Sequence, residues 1–461
     1  MKGIRLKKGQ VIDLPVRRLG INGEGIGFYQ KQVVFVEGAI PGETVRTRIA
    51  EVYSKYVRGK ILQLKKASPH RVKAPCPVFR ECGGCQLQHI NYPKQLELKR
   101  ELVVETFSRY TGRKDIPIQE TIGMETPWNY RNKAQLPLKN LDSRLVMGLY
   151  AAGSHRLIDV GNCGVQHPLT NQILETTRKV LEEMSVPVYH EKKHRGTIRY
   201  LATRIGLTTG EAQLILISRT SHLPYEAEVV RRLRERLPQV VSIVVNVNPQ
   251  RTSRVFGEKT RVLWGEEKMK EKLGSLTFAL SAPAFFQLNP VQTVKLYDEV
   301  KRLAGLTGRE TLVDAYCGSG TIGLWLAHKV KQVRGMDTVP EAIEDARENA
   351  RINGIENVTY DVGAAENLLP DWLDQGFRPD VVVADPPRTG LGKAFMEALI
   401  RIQVPRFVYV SCNPSTLAKD CNRLIQSGYR VEAVVPVDMF PQTSQVECCT
   451  LLVHESSSRE G

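Results

Sequence analysis

The sequence has no long apolar run. No uninterrupted apolar stretch of the 461 residues approaches the roughly 20 residues that a membrane-spanning helix needs. The first eight residues are basic, but no apolar segment follows them as it would in a secretory signal peptide. Internal repeats and low-complexity tracts are also missing. These absences predict a cytoplasmic protein that does not span a membrane, in which the nine cysteines are thiols, metal ligands or nucleophiles rather than disulfides.

Acidic residues are also in short supply relative to basic ones. The chain has 65 Lys and Arg against 49 Asp and Glu, which gives a formal net charge of +16. Such an excess can serve solubility alone. It is also typical of proteins that bind a polyanion, because neutralised phosphates release counterions.

The patterning predicts three segments. Residues 1–66 contain five short strands between Gly and Pro turns, with basic residues interleaved, which is typical of an OB-like barrel that binds nucleic acid or of a generic small β domain. Residues 67–275 form a central α+β region with a helix at 92–111 that is expected to pack on the last segment. Residues 276–461 alternate strands and helices, which predicts a doubly wound, parallel α/β sheet. The seven strands expected there span residues 311–315, 332–336, 358–362, 380–384, 406–410, 430–437 and 446–453.

Acidic residues end three of these strands and predict a ligand site. Asp314 precedes a glycine turn that spells G-x-G-x-x-G at residues 318–323, and Asp337 and Asp385 follow two further strands. The glycine pattern leaves a nicotinamide cofactor possible. However, Asp314 would repel a pyrophosphate, and no phosphate-binding lysine follows the glycines. An adenosyl ligand with a cationic group fits better, and S-adenosylmethionine is the candidate.

Cys412 lies at a predicted strand end, followed by a turn, and is a candidate nucleophile. The other interpretation is that Cys412 is a buried side chain that packs as a small hydrophobic residue, although the turn that follows it argues against deep burial. Glu447 lies at the start of the last predicted strand, between apolar residues. It is either a general base or an exposed acid at the end of a strand. A thiol, a carboxylate and a methyl donor together suit methylation of a pyrimidine at C5, in which thiolate attack at C6 activates C5.

Cysteines are concentrated between residues 76 and 85. Cys76, Cys82 and Cys85 form C-x5-C-x2-C in a Pro- and Gly-rich loop, and Cys163 is a distant fourth candidate. Unrelated free thiols are the other interpretation. Zinc usually takes paired C-x2-C knuckles, and the second knuckle is missing, so the pattern predicts a metal site and modestly favours [4Fe–4S]. The remaining cysteines are assigned to packing: Cys317, Cys421, Cys448 and Cys449.

These motifs resemble the S-adenosylmethionine-dependent RNA (uracil-5-)-methyltransferases, particularly the 23S ribosomal-RNA branch, over nearly the whole chain. The resemblance implies a TRAM barrel at 1–66, a central RNA-binding domain with an iron–sulfur loop at 67–275 and a Rossmann-like methyltransferase domain at 276–461. It implies these residue roles: Cys412 as nucleophile, Glu447 as base, Gln287, Tyr316, Asp337 and Asp385 at the methyl donor, and Cys76, Cys82, Cys85 and Cys163 as [4Fe–4S] ligands. Three positions depart from the family. Related members often carry histidine at 442 and 445 and glutamate at 337.

The expected function is therefore methylation of uridine C5 in 23S ribosomal RNA to 5-methyluridine through a covalent adduct between Cys412 and C6 of uracil. A transfer-RNA enzyme with the same chemistry, a non-catalytic iron–sulfur RNA-binding protein and a nicotinamide oxidoreductase are the competing hypotheses. The target base would be flipped out of the RNA. No obligate protein partner is expected.

Overall fold

The N-terminal strands close into a five-stranded barrel. A computed structural model of the protein describes residues 6–141 and 144–456. Side chains of the first strand alternate between the barrel interior (Ile12, Leu14 and Val16) and the solvent, which is why this segment forms half-buried β structure. The strands, paired in the order β1-β2-β3-β5-β4, are β1 (Val11–Leu19), β2 (Gly25–Tyr29), β3 (Gln32–Val36), β4 (Thr44–Val52) and β5 (Tyr56–Lys66). The predicted barrel is confirmed, with several strands longer than expected.

An irregular segment that carries three cysteines leads from the barrel to a long helix, α1 (Tyr92–Thr111). The Asn91 side chain caps the N-terminus of α1 by accepting a hydrogen bond from the Lys94 amide (3.1 Å). Gly112 ends the helix in the left-handed conformation. Leu102, Val103 and Phe107 of α1 are buried in the core of the C-terminal sheet. The helix therefore lies against the C-terminal sheet.

The central part is a seven-stranded mixed sheet with helices on one face. Its order is β12-β11-β10-β9-β6-β7-β8, followed by a separate β13-β14 hairpin. The elements are β6 (Lys133–Leu141), β7 (Arg144–Tyr150), β8 (Leu157–Asp159), α2 (Pro168–Glu183), β9 (Ile198–Ile205), β10 (Ala212–Ser218), α3 (Glu226–Arg236), β11 (Val240–Val247), β12 (Lys259–Gly265), β13 (Met269–Leu273) and β14 (Leu276–Leu280).

The C-terminal part is a doubly wound seven-stranded sheet of order β17-β16-β15-β18-β19-β21-β20. Its elements are α4 (Pro290–Ala304), β15 (Thr311–Ala315), α5 (Thr321–Leu326), β16 (Gln332–Asp337), α6 (Pro340–Ile352), β17 (Val358–Val362), α7 (Ala365–Asp374), β18 (Val381–Ala384), α8 (Lys393–Ile402), β19 (Arg406–Ser411), α9 (Pro414–Ile425), β20 (Tyr429–Val437) and β21 (Glu447–His454). The pairs among β15 to β19 are parallel, as predicted. Strand β21 differs, because it runs antiparallel to both β19 and β20.

A buried ion pair joins α1 to the end of β20. The Lys99 ammonium lies 2.5 Å from a carboxylate oxygen of Asp438, and both side chains are inaccessible to solvent. Burial lowers the pKa of the Lys99 ammonium, and the Asp438 carboxylate opposes that shift. Removing either partner would leave an uncompensated buried charge and destabilise the packing of α1 against the sheet.

Among the described residues, no helix combines the length and apolar character that crossing a bilayer requires.

Candidate active site

The candidate cofactor cleft lies where the strand order of the C-terminal sheet reverses. Strands β15 and β18 are neighbours. From β15 the sheet continues on one side through β16 and β17, and from β18 it continues on the other side through β19. Ligands of open α/β sheets bind at such a switch point, beyond the carboxyl ends of the strands. Asp314 and Asp385 lie at the ends of these two strands, and Asp337 ends the adjacent strand β16.

Asp314 holds the glycine turn against the sheet. One of its carboxylate oxygens accepts a hydrogen bond from the Gly323 amide (2.7 Å). A Cβ on Gly323 would lie 2.8 Å from that oxygen, so glycine permits the close approach. The other oxygen of Asp314 is buried without a hydrogen-bond partner. Burial raises the pKa of the Asp314 carboxyl to about 7, and the nearby Asp385 and Asp337 carboxylates add to the shift.

Asp337 and Tyr316 lie at the carboxyl ends of β16 and β15, beside the glycine turn. The Asp337 carboxylate accepts hydrogen bonds from the amides of Gly318 and Val339 (both 3.0 Å). Tyr316 adopts a positive φ of 62°, which is unusual for a tyrosine, and its hydroxyl donates to Glu366 (2.7 Å). The turn therefore directs the Tyr316 side chain toward helix α7.

Gln287 lies on the loop before α4 and is buried. Its backbone carbonyl accepts a hydrogen bond from the Asn132 side chain (3.2 Å) next to β6. The neighbouring Phe286 is buried, whereas Phe285 is 68% exposed. The contacts of Gln287 thus tie its loop to the central sheet, and none of them joins it directly to Asp337 or Asp385.

Cys412 and Glu447 are brought together by strand pairing. Ser411 at the end of β19 pairs with Cys448 on antiparallel β21, so Cys412 and Glu447 are next in register. Glu447 is buried, and one of its carboxylate oxygens lacks a hydrogen-bond partner. Burial and the Asp385 carboxylate raise the pKa of the Glu447 carboxyl, and the Arg388 guanidinium opposes the shift. The alternative of an exposed strand-end acid is therefore wrong.

Cys412 is half-buried and lies one residue before Asn413, the N-cap of α9. Burial and the carboxylates of Glu447 and Asp385 raise the pKa of its thiol, and Arg388 opposes them. These surroundings therefore disfavour the Cys412 thiolate in the free protein. The Asn413 side chain donates to the Arg388 carbonyl (3.1 Å), which fixes the Arg388 loop beside the thiol.

Arg388 is the residue that sequence reasoning missed. It opposes the raised pKa of both the Cys412 thiol and the Glu447 carboxyl. Its position directly after a Pro-Pro pair at a strand end was visible in the sequence. Nothing in the pattern, however, separated it from the other 64 basic residues.

The four candidate metal ligands come from two segments and are all partly buried. Burial raises the pKa of the Cys85 thiol to about 12, and the thiols of Cys163, Cys82 and Cys76 add to the shift, so the four sulfurs share one region. Across residues 6–141 and 144–456, however, no three His, Cys, Asp or Glu side chains are arranged closely enough to hold a metal ion. The four thiol donors are those that an iron–sulfur cluster takes. Cys317, Cys421, Cys448 and Cys449 are buried, as packing requires.

Fold and site together define a doubly wound α/β enzyme with a ligand cleft at the switch point and a thiol and a carboxylate beside it. The model of the tRNA (uracil-5-)-methyltransferase family matches residues 91–455, and the TRAM domain matches residues 5–62. The chain therefore belongs to the tRNA (uracil-5-)-methyltransferase family. It is an S-adenosylmethionine-dependent RNA (uracil-5-)-methyltransferase with an N-terminal TRAM barrel.

Similar proteins cover almost the full chain. A protein of Halalkalibacterium halodurans described as an uncharacterized RNA methyltransferase is 50% identical over 452 residues, which is 98% of each chain. A protein of Bacillus cereus with the same description is 49% identical over 452 residues, again 98% of each chain. The crystal structure of Pyrococcus abyssi tRNA (uracil-54, C5)-methyltransferase in complex with S-adenosyl-L-homocysteine is 28% identical. It has a TM-score of 0.75 and covers 96% of this chain and 99% of its own.

The burial of Glu447 predicts how stability depends on pH. The pKa of the Glu447 carboxyl is higher in the folded chain than in the unfolded chain, so the contribution of Glu447 to stability falls as pH rises above about 4.3, the ordinary glutamate value. We expect the melting temperature of Glu447→Gln to rise relative to wild type as pH increases from about 5 to 8. Glu455→Gln, at an exposed position just beyond the same strand, serves as the control. A difference between Glu447→Gln and wild type that stays constant with pH would contradict the burial argument.

Proposed function

We propose that this enzyme methylates C5 of one or more specific uridines in 23S ribosomal RNA, giving 5-methyluridine, through a covalent bond between the Cys412 sulfur and C6 of uracil. The observation that carries the proposal is the strand register that sets Cys412 opposite Glu447 beside the cofactor cleft. A nucleophile and a base on one side of a cleft suit addition to C6 followed by proton removal from C5.

We assign Gln287, Tyr316, Asp337 and Asp385 to the methyl donor. Bound S-adenosylmethionine supplies an electrophilic methyl group on a positively charged sulfonium. The cleft suits such a cation, because Asp314 presents a buried oxygen without a partner and the neighbouring Asp337 and Asp385 are also acidic. Asp337, at the end of β16, is in the position from which an acid accepts ribose hydroxyls.

Cys412 begins the reaction by adding to the ring. Its proton leaves to solvent, since the thiol is half-buried, and Arg388 favours the thiolate against the neighbouring carboxylates. The thiolate forms a bond to C6, and the electrons of the C5–C6 double bond move to C5 and the O4 carbonyl. C5 then takes the methyl group as the methyl–sulfur bond breaks.

Glu447 completes the reaction as the general base. Its ionised carboxylate takes the proton from C5, the C5–C6 double bond forms again and the bond from C6 to the Cys412 sulfur breaks. A raised pKa makes the ionised form a stronger base, and Arg388 keeps that form accessible.

We propose that RNA lies across domains at residues 1–66 and 67–275 while the target base enters the domain at residues 276–461. A groove of about 450 Å³ between the barrel and α1 supports this path. Its lining includes arginines and aromatic rings, which suit phosphates and stacked bases: Arg18, Arg58, Arg109, Phe35, Tyr56 and Tyr110. The groove reaches Ser415, three residues after Cys412, and the proposed RNA path continues from there toward the thiol.

The proposed covalent chemistry makes opposite predictions for the two catalytic residues. Cys412→Ala should abolish methyl transfer, because no group remains to activate C5. Glu447→Gln should still transfer the methyl group but release product slowly, so that a protein–RNA complex resistant to denaturation accumulates on gels. Cys421→Ala, a buried thiol in α9, is the matched control and should turn over. Normal turnover of Glu447→Gln would reject Glu447 as the base, and activity in Cys412→Ala would reject the nucleophile.

The RNA class is tested directly with labelled S-adenosylmethionine, unmodified 23S ribosomal RNA and unmodified transfer RNA, with modified positions mapped by mass spectrometry. We expect 5-methyluridine in the ribosomal RNA. Transfer RNA is the second candidate, because the Pyrococcus abyssi enzyme with the same overall fold acts on uracil 54 of tRNA. Modification of transfer RNA alone would reassign the substrate, and transfer to neither would contradict the catalytic proposal.

We further propose that Cys76, Cys82, Cys85 and Cys163 hold a [4Fe–4S] cluster. The support is the donor set and the shared region of the four thiols. The Gly84 amide also donates to the Cys82 sulfur (3.4 Å), as amides in cluster-binding loops do.

Anaerobically purified protein should therefore be brown and contain iron and inorganic sulfide. Both should be lost in Cys85→Ser and kept in Cys421→Ser. Stoichiometric zinc without iron would contradict the assignment.

A further inference from the structure

The segment that leads into Glu447 has no regular secondary structure. We call residues 438–446, between the end of β20 and the start of β21, the base loop. Groups outside the C-terminal sheet hold it through hydrogen bonds. The Asn289 side chain donates to the Met439 carbonyl (3.1 Å), and the Tyr130 hydroxyl donates to the Pro441 carbonyl (2.9 Å). The position of Glu447 therefore depends on other parts of the chain.

Gln442 is the most constrained residue of the base loop. It is buried and adopts a φ of 71°, a left-handed conformation that non-glycine residues occupy only when their surroundings impose it. Its side-chain oxygen accepts a hydrogen bond from the Gln95 amide group (3.0 Å), and its backbone amide donates to the Gln95 side-chain oxygen (3.2 Å). This reciprocal pair joins the base loop to α1. Gln445, by contrast, is exposed.

The same residue connects the base loop to the cysteines. We call residues 76–87 the cysteine loop. The amides of Gln86 and Leu87 both donate to the Gln442 carbonyl (3.1 and 2.9 Å). The Gln86 side chain also accepts from the Ser444 amide (3.3 Å) and donates to the Gly83 carbonyl (2.9 Å). One side chain thus spans from between Cys82 and Cys85 to a residue three positions before Glu447.

We propose that Gln442 is a positioning residue for proton removal, and that it couples the geometry of the cysteine loop to Glu447. This proposal rests on the proposed role of Glu447 as base. Cys412 follows β19 and precedes α9, outside the base loop. Loosening the base loop should therefore slow the step that Glu447 carries out and spare the steps that Cys412 begins.

Two signals separate these steps in a single turnover on RNA that carries tritium at uridine C5. Transfer of the methyl group reports addition and alkylation, and release of tritium reports proton removal. In Gln442→Ala we expect tritium release to fall on the order of 10–100-fold, because a small misplacement of a catalytic group costs that much, while methyl transfer changes little. The methylated covalent complex should accumulate. Gln445→Ala, in the same loop but exposed, should behave as wild type.

Four further variants separate a positioning role from a folding defect. Gln442→Gly accommodates the positive φ but lacks the side-chain amide, and it should also release tritium slowly. Gln95→Ala should reproduce the defect, and the double variant Gln95→Ala/Gln442→Ala should be no worse than either single one. Gln86→Ala removes the side-chain contacts to Ser444 and Gly83 without touching a thiol, leaves the two backbone contacts to Gln442 in place and should slow tritium release as well.

Equal slowing of methyl transfer and tritium release in the folded Gln442 variants would overturn the proposal, as would wild-type release. Wild-type release in Gln86→Ala would overturn the coupling through the Gln86 side chain. If Glu447→Gln itself released tritium normally, the proposed function would fail instead, so the two failures are distinguishable.

Discussion

The active site depends on the direction of a single strand. Strand β21 inserts antiparallel between β19 and β20, whereas the pairs among β15 to β19 are parallel. Its first residue, Glu447, therefore lies beside Cys412 at the edge where β19 ends. If β21 ran parallel to β19, its first residue would lie at the edge of the sheet where β19 begins. That edge is roughly 20 Å from Cys412, the length of the six-residue strand β19. The antiparallel strand is thus what brings a base to the nucleophile.

The same edge concentrates negative charge in a partly dry environment. Burial raises the pKa of the carboxyls of Asp314, Asp385 and Glu447, and it also raises the pKa of the Cys412 thiol. Buried carboxylates disfavour one another, and a cation among them relieves that cost. Arg388 supplies one positive charge at the rim, and a sulfonium would supply another in the cleft. The electrostatics of the free protein therefore suit a positively charged methyl donor.

Sequence patterning predicted the strands that position the site but not the contacts between distant segments. Alternation of strands and helices located Asp314, Asp337 and Asp385 at strand ends, because that depends on local periodicity. The direction of β21 depends on its neighbours and left no local signal. The topology of the central sheet could not be predicted either, because a strand such as β10 is buried on both faces and its sequence does not alternate between apolar and polar residues. Gln95 and Gln442 meet across 347 residues, a distance over which a single sequence carries no signal.

The most direct test of covalent catalysis by Cys412 is to locate the bond on the protein. Wild-type enzyme would be incubated with S-adenosylmethionine and RNA that carries 5-fluorouridine at the target, because a fluorine at C5 cannot be removed as a proton. Tandem mass spectrometry of the digested complex should find a 5-fluoro-5-methyl-dihydropyrimidine nucleotide attached to Cys412. Attachment to another residue, or methylated product without any attachment, would contradict the account.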